Sequence, residues 1–138
     1  MRSRSPHSIE DLYQEIGHEA VAVADDDLGG RLLVYAEVQD RVISTDLFYW
    51  TRKGDVRFVL SPRPLKELVY ELWELWKKQP GNEEWRVMSY VVDDNGKLTI
   101  DLTYPDDLDE EEGLSDRRPR AVEKYFGDVK VIYPNPFN

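Results

Sequence analysis

Between Arg31 and Leu60 the chain alternates apolar and polar residues in three successive runs, separated by very short turns. Arg31 to Val38 puts Leu32, Val34, Ala36 and Val38 on one face and Leu33, Tyr35 and Glu37 on the other. Val42 to Trp50 sets Ile43, Thr45, Leu47 and Tyr49 against Ser44, Asp46, Phe48 and Trp50. Asp55 to Leu60 aligns Val56, Phe58 and Leu60. Successive side chains of an extended strand point to opposite faces, so each run reads as a strand. Asp40-Arg41 and Lys53-Gly54 leave room only for hairpins, because a parallel connection needs about a dozen residues or more. Any fold of this chain must therefore contain an antiparallel meander.

A second hairpin follows the same logic. Trp85 to Val92 and Lys97 to Tyr104 flank Asp94-Asn95-Gly96, and Asn-Gly readily adopts the positive φ values of a tight hairpin turn. Leu98, Ile100, Leu102 and Tyr104 point inward while Lys97, Thr99, Asp101 and Thr103 point outward, so one sheet face is packed and the other wet. Helical spacing marks the rest. Ser8 and Asp11 form a capping box ahead of Ile9, Leu12, Tyr13, Ile16, Ala20 and Val23. Gly17 weakens the middle of that helix, and Asp25-Asp26-Asp27 with Gly29-Gly30 ends it. Ser61-Pro62-Arg63-Pro64 opens a second helix, whose first turn tolerates both prolines. Its stripe is Leu65, Leu68, Val69, Leu72, Leu75 and Trp76, with Trp73 flanking it and Tyr70 pointing away. Gln79-Pro80-Gly81-Asn82 stops it. After an acidic loop from Pro105 to Gly113, a short helix is expected from about Arg118 to Phe126, capped by Ser115 or Asp116. Val129 to Tyr133 reads as an extended tail ended by Pro134 and Pro136.

The expected architecture is a single domain over 1–138 with its core at about 9–128. It is α+β and two-layered, with a five-stranded antiparallel sheet, helices on one face, and the order α-β-β-β-α-β-β-α. A hydrophobic content of 41% over 138 residues supplies a core without cross-links.

Charge and residue types limit the function. The 18 basic and 28 acidic residues leave a net charge of −10. That disfavours direct nucleic-acid binding, which needs a basic footprint, and anionic membrane surfaces. It favours a basic protein partner, although acidity also serves solubility alone. The absence of cysteine excludes disulfides, zinc ribbons, thiol nucleophiles and iron–sulfur clusters. No apolar run is long enough to span a bilayer, and no apolar stretch follows the basic Met1-Arg2-Ser3-Arg4-Ser5, so the expected location is the cytoplasm.

Catalytic candidates are poor. His7 precedes the first helix and His18 lies on its polar side; neither belongs to a nucleophile-elbow or HExxH pattern. The acidic runs lack the spaced oxygen ligands of a calcium loop. Gly29-Gly30 fits neither a dinucleotide fingerprint nor a phosphate loop and reads as a flexible lead-in to the first strand. No catalytic, cofactor-binding or metal-ligating residue is assigned, and no cofactor is expected. Glu37 and Asp46, on adjacent strands, form the one carboxylate pair worth weighing as a reactive pair, but the preferred reading is an outward polar surface shared with Arg41 and Arg57. Four tryptophans, eight tyrosines and four phenylalanines exceed the needs of a small core. Trp76 and Trp85 are expected inside, whereas Phe48 and Trp50 share a side with Ser44 and Asp46, and Tyr70 projects from its helix. Aromatic side chains beside charged ones are the material of interface hot spots. The candidate contact residues are Asp106, Asp107, Asp109, Glu110, Glu111 and Glu112, with Asp25, Asp26, Asp27, Trp50 and Tyr70.

Leu33-Val34-Tyr35-Ala36-Glu37-Val38 resembles the first strand of the YezG-like immunity proteins. The helix Leu65 to Trp76, Trp85 leading into a strand, the run Asn95 to Tyr104, and Glu123-Lys124-Tyr125-Phe126-Gly127 continue the resemblance in the same order, from about residue 9 to 128. The family tends to carry a tryptophan where this chain has Ala121-Val122. The resemblance implies a bacterial immunity protein that binds and neutralises a toxin, often a nuclease, without enzyme activity or cofactor. A non-catalytic adaptor and a small-molecule binder or enzyme using Glu37, Asp46 and Arg57 are the competing expectations.

Overall fold

The structure, a computed structural model, describes residues 8–134. The described chain forms three helices and six strands: α1 (Ile9–Ala24), β1 (Leu28–Gln39), β2 (Val42–Thr51), β3 (Val56–Leu60), α2 (Arg63–Lys78), β4 (Val87–Val92), β5 (Leu98–Thr103), α3 (Leu114–Phe126) and β6 (Val131–Ile132). The capping box of α1 forms: the Asp11 N–H donates to Ser8 Oγ at 3.1 Å and the Ser8 N–H to Asp11 Oδ2 at 3.4 Å. The Asp40-Arg41 turn takes positive φ at both residues, 52° and 67°, the geometry whose twist matches a two-residue hairpin.

The fold is α+β, and two features differ from the expected design. The sheet has six strands in the order β5-β4-β1-β2-β3-β6, and it is mixed, because β6 runs parallel to β3 through Val56↔Val131 and Arg57↔Ile132. Two paired residues carry no legible alternation, so periodicity gave this strand no signal beyond an extended tail. The helices also divide between the faces. Leu32, Val34, Ala36, Leu47, Tyr49, Met88 and Tyr90 pack with α1 and α2. Leu33, Tyr35, Phe48, Val56, Phe58, Val87 and Val91 pack with Val122 and Phe126 of α3 on the other face. The chain leaves β5 at one sheet edge and re-enters as β6 near the other, and α3 makes that passage across the face expected to be wet.

This second layer corrects several assignments. Phe48 is fully buried, and Trp50 is half-buried with its ring edge-on to Phe126 at 5.9 Å between centroids. α3 starts at Leu114 rather than Arg118, capped at Gly113, whose N–H donates to Asp116 Oδ2 at 3.0 Å. Pro119 lies inside the helix, in its second turn, and Ser115 and Asp116, expected as caps, fall in the first. On α2 the buried tryptophan is Trp73, its Nε1 donating to the Trp85 carbonyl at 3.1 Å, while Trp76 is only partly buried. Trp85 is in the core as expected.

The glycines also act differently from expectation. Gly29 is a close-approach position: a Cβ there would collide with the backbone of Thr51, next to the register irregularity between Leu28 and Leu32. Gly17 faces the Tyr90 hydroxyl, which would lie 2.7 Å from an added Cβ and which donates to the Tyr13 carbonyl.

Candidate interaction surface

The polar strand residues weighed as a reactive pair are buried under α3. Glu37 is 3% exposed and Asp46 7%. Arg117 reaches Glu37 with its Nε at 3.0 Å and also through Nη2, and Arg118 reaches Asp46 at 3.0 Å. The Tyr35 hydroxyl donates to Glu37 at 3.0 Å, and its pKa is raised first by burial and then by the Glu37 charge. Neither Arg41 nor Arg57 forms these pairs; Arg57 bonds Asp27 at 2.8 Å instead. The carboxylates are ion-paired on one side and packed on the other, so they dock a helix and form no open polar surface. This corrects the outward-facing placement.

The nominated acidic residues separate into two groups. Asp25, Asp26 and Asp27 form a short 3-10 turn after α1, beside the start of β1. Asp25 and Asp26 are exposed, while Asp27 accepts from the Tyr49 hydroxyl at 2.9 Å as well as from Arg57. Tyr49 has a raised pKa, through burial first and then through its hydrogen bond to Asp27. The other group follows β5. Because β4 and β5 each run antiparallel to their neighbour, Thr103 lies opposite Val87, which lies opposite Glu37 near the far end of β1. The two acidic groups therefore stand at opposite ends of the central strand, on the order of 30 Å apart at about 3.3 Å per residue.

In the second group Asp106 and Asp107 belong to a 3-10 turn and are exposed, as are Asp109, Glu110 and Glu111. Asp109 Oδ1 accepts from the Glu111 N–H at 3.0 Å. Glu112 is committed internally: its carboxylate pairs with Arg120 and its carbonyl accepts from Arg117 at 2.7 Å. A cleft of about 380 Å³ separates this loop from α3 and β4–β5, with Asp107, Asp109, Arg117 and Lys124 among its walls. Of the two aromatic candidates, Trp50 packs on Phe126 and Tyr70 is 46% exposed.

The outer surfaces of α1 and α2 hold carboxylates that sequence reading passed over. Glu15 and Glu19 of α1 and Glu67 and Glu71 of α2 line one groove of about 400 Å³ together with the exposed His18. On the other flank of α2, Ile43, Tyr70, Glu67, Glu71 and Glu74 line a depression of about 500 Å³. The signal existed: Glu15 and Glu19, and Glu67 and Glu71, are spaced four apart and share a helix face. Which two helices would lie side by side was not legible. His7 lies outside the described residues. Among the described residues no group of three or more His, Cys, Asp or Glu is placed to hold a metal ion, and no helix is long and apolar enough to cross a membrane.

A family model described as "Immunity protein YezG-like" matches residues 54–130, from the β2–β3 turn to the residue before β6. The match covers more than half of the chain; Leu33 to Val38 lies outside it. No match was found among curated proteins.

Proposed function

The chain belongs to the YezG-like immunity protein family, and on that premise we propose that it binds and neutralises a nuclease toxin by covering the toxin's active cleft. The family match over residues 54–130 carries this reading. Charge supports it: a nuclease grips phosphates with basic side chains, and a partner of net charge −10 is drawn to such a surface faster than a neutral one. Inhibition by occlusion needs no bond made or broken, so the protein acts without catalysis or cofactor, in the cytoplasm, touching neither nucleic acid nor membrane itself.

The exposed carboxylates at 106–111, with Asp25 and Asp26, provide long-range attraction in this reading, and Tyr70 provides contact area. Asp27, Glu112 and Trp50 play a lesser part, since each already holds an internal partner. The test is co-expression with the toxin domain encoded beside the gene for this protein. Cells producing both are expected to grow and the two proteins to co-purify. A toxin that kills equally well in its presence, with no complex recovered, refutes the proposal.

A further inference from the structure

β5 lies at one edge of the sheet. It pairs with β4 on one side, and among the described residues no strand pairs with its other side. The opposite edge differs, because β6 covers Val56 and Arg57 of β3. An open edge is a template for a further strand, and proteins commonly block one with a proline or a bulge. β5 uses neither: Leu98–Thr103 contains no proline, and its register with β4 is unbroken from Val87↔Thr103 to Val92↔Leu98.

The ladder shows which backbone groups face outward. The Asp93 N–H donates to the Lys97 carbonyl at 2.9 Å, which continues the β4–β5 register by one pair. In an antiparallel ladder such hydrogen-bonded pairs alternate with non-bonded ones. Lys97, Thr99 and Asp101 therefore turn their N–H and C=O groups to β4, and Leu98, Ile100 and Leu102 turn theirs to the open edge. The side chains divide between the two layers. Leu98 and Ile100, opposite Val92 and Tyr90, lie on the face of α1 and α2; Thr99, opposite Val91, lies on the face of α3. Leu98 is 37% exposed.

This edge is complementary to itself. Let two antiparallel copies of β5 meet about a twofold axis at Thr99. Leu98 of each copy then stands opposite Ile100 of the other. Both residues turn their backbone outward, so each of these pairs exchanges its N–H···O=C bonds in both directions. The same register sets the exposed Lys97 of each copy opposite Asp101 of the other. Asp101 already receives Lys124 at Oδ2, 3.1 Å away, but its side chain is still 49% exposed and a carboxylate accepts at both oxygens. It can take Lys97 of the other copy without releasing Lys124. Continued into the turn, this register sets Asp94 opposite Tyr104, and Asp93 is held by Arg31 at 2.9 Å. No like charges oppose each other along the seam. Sliding the register by two residues keeps the hydrogen-bond pattern but loses both ion pairs, because Lys97 then faces Thr99 or Thr103.

We propose that a second copy of this chain pairs with β5, edge to edge and antiparallel, joining two six-stranded sheets into one. A strand paired antiparallel with itself makes a closed, isologous contact, so assembly stops at two copies. This inference stands apart from the immunity reading, and its test needs no toxin.

The test is sedimentation velocity of the full-length protein at rising concentration, alongside Lys97→Glu, Asp101→Lys and an equal mixture of those two variants. Circular dichroism checks that each is folded. The parent protein is expected to dimerise. Either variant alone sets like charges opposite each other at both ends of the seam, and should raise the dimer dissociation constant at least about 10-fold. In the mixture opposite charges face again at both ends, and the dimer should return. Hydrogen exchange on the parent should show the Leu98 and Ile100 amides gaining protection as the dimer forms. A parent protein that stays monomeric up to its solubility limit overturns the proposal. So do variants that dimerise as well as the parent, which would place the contact elsewhere, and a mixture that fails to recover the dimer. Protection of β5 that appears only when the toxin is added would assign the edge to a strand of the toxin and overturn the proposal too.

Discussion

Gly17 and Tyr90 form a coupled pair that neither residue reveals alone. A glycine inside a helix costs roughly 1 kcal/mol relative to alanine. Here it leaves space for a buried hydroxyl bonded to the Tyr13 carbonyl. Gly17→Ala should therefore destabilise the protein by about 1 kcal/mol in thermal or urea unfolding, because the Tyr90 hydroxyl must give up its bond. In a Tyr90→Phe background the nearest remaining ring atom is at an ordinary 3.8 Å, and the same substitution should become neutral or stabilising. Equal effects in both backgrounds would contradict the coupling. Tyr90 also sets an alkaline limit. Burial raises its pKa from 10.0 to about 12, so the folded state holds its proton after the unfolded chain has released it. Its contribution is whole below pH 10 and is lost as pH rises through about 12, roughly 2–3 kcal/mol across that window. Tyr13, Tyr35 and Tyr49 are shifted in the same direction, burial being the first cause for each. Unfolding free energy should decline above pH 10, and less steeply in Tyr90→Phe.

The helices and strands show where sequence reading ends. β1 to β5, α1 and α2 were legible because each carries its own periodicity, and the hairpin turns fix how neighbouring strands pair. α3 was legible as a helix but its destination was not. Glu37 and Asp46 read as solvent-facing because they alternate with apolar residues. Their partners Arg117 and Arg118 lie some 70 to 80 positions later, at separations of 80 and 72 residues. No local pattern connects them. The same blindness moved Phe48 and Trp50 to the surface. Once α3 is laid over the sheet, the buried carboxylates become its anchor, joined by Arg31, whose Nη1 donates to the Tyr125 carbonyl at 2.7 Å. Arg117→Ala strips the partner from a carboxylate 3% exposed and should cost about 3–5 kcal/mol. Replacing both members of the pair, as Glu37→Leu/Arg117→Met, should cost distinctly less, since no charge is then left buried alone. Hydrogen exchange on the Arg117→Ala protein should show α3 opening ahead of the sheet. A global loss with α3 and β1 exchanging together would place the anchor elsewhere.

For the molecule as a whole, a net charge of −10 led to the expectation of a basic partner, and the fold distributes that charge over separate surfaces. The nominated acidic groups lie at opposite ends of β1, and an unexpected third acidic surface spans α1 and α2. Composition reports the total charge and nothing of its distribution, which depends on how the helices pack. A negatively charged, non-catalytic inhibitor that covers a basic toxin should act in stoichiometric proportion, with association slowing as salt rises. The decisive measurement is the activity of the neighbour-encoded toxin on nucleic acid, titrated with this protein at low and at physiological salt. Inhibition should be complete at one equivalent, with an association rate that falls as salt is added. Full toxin activity at several equivalents, or inhibition far below one equivalent that implies the toxin is being consumed catalytically, would contradict binding as the mode of action.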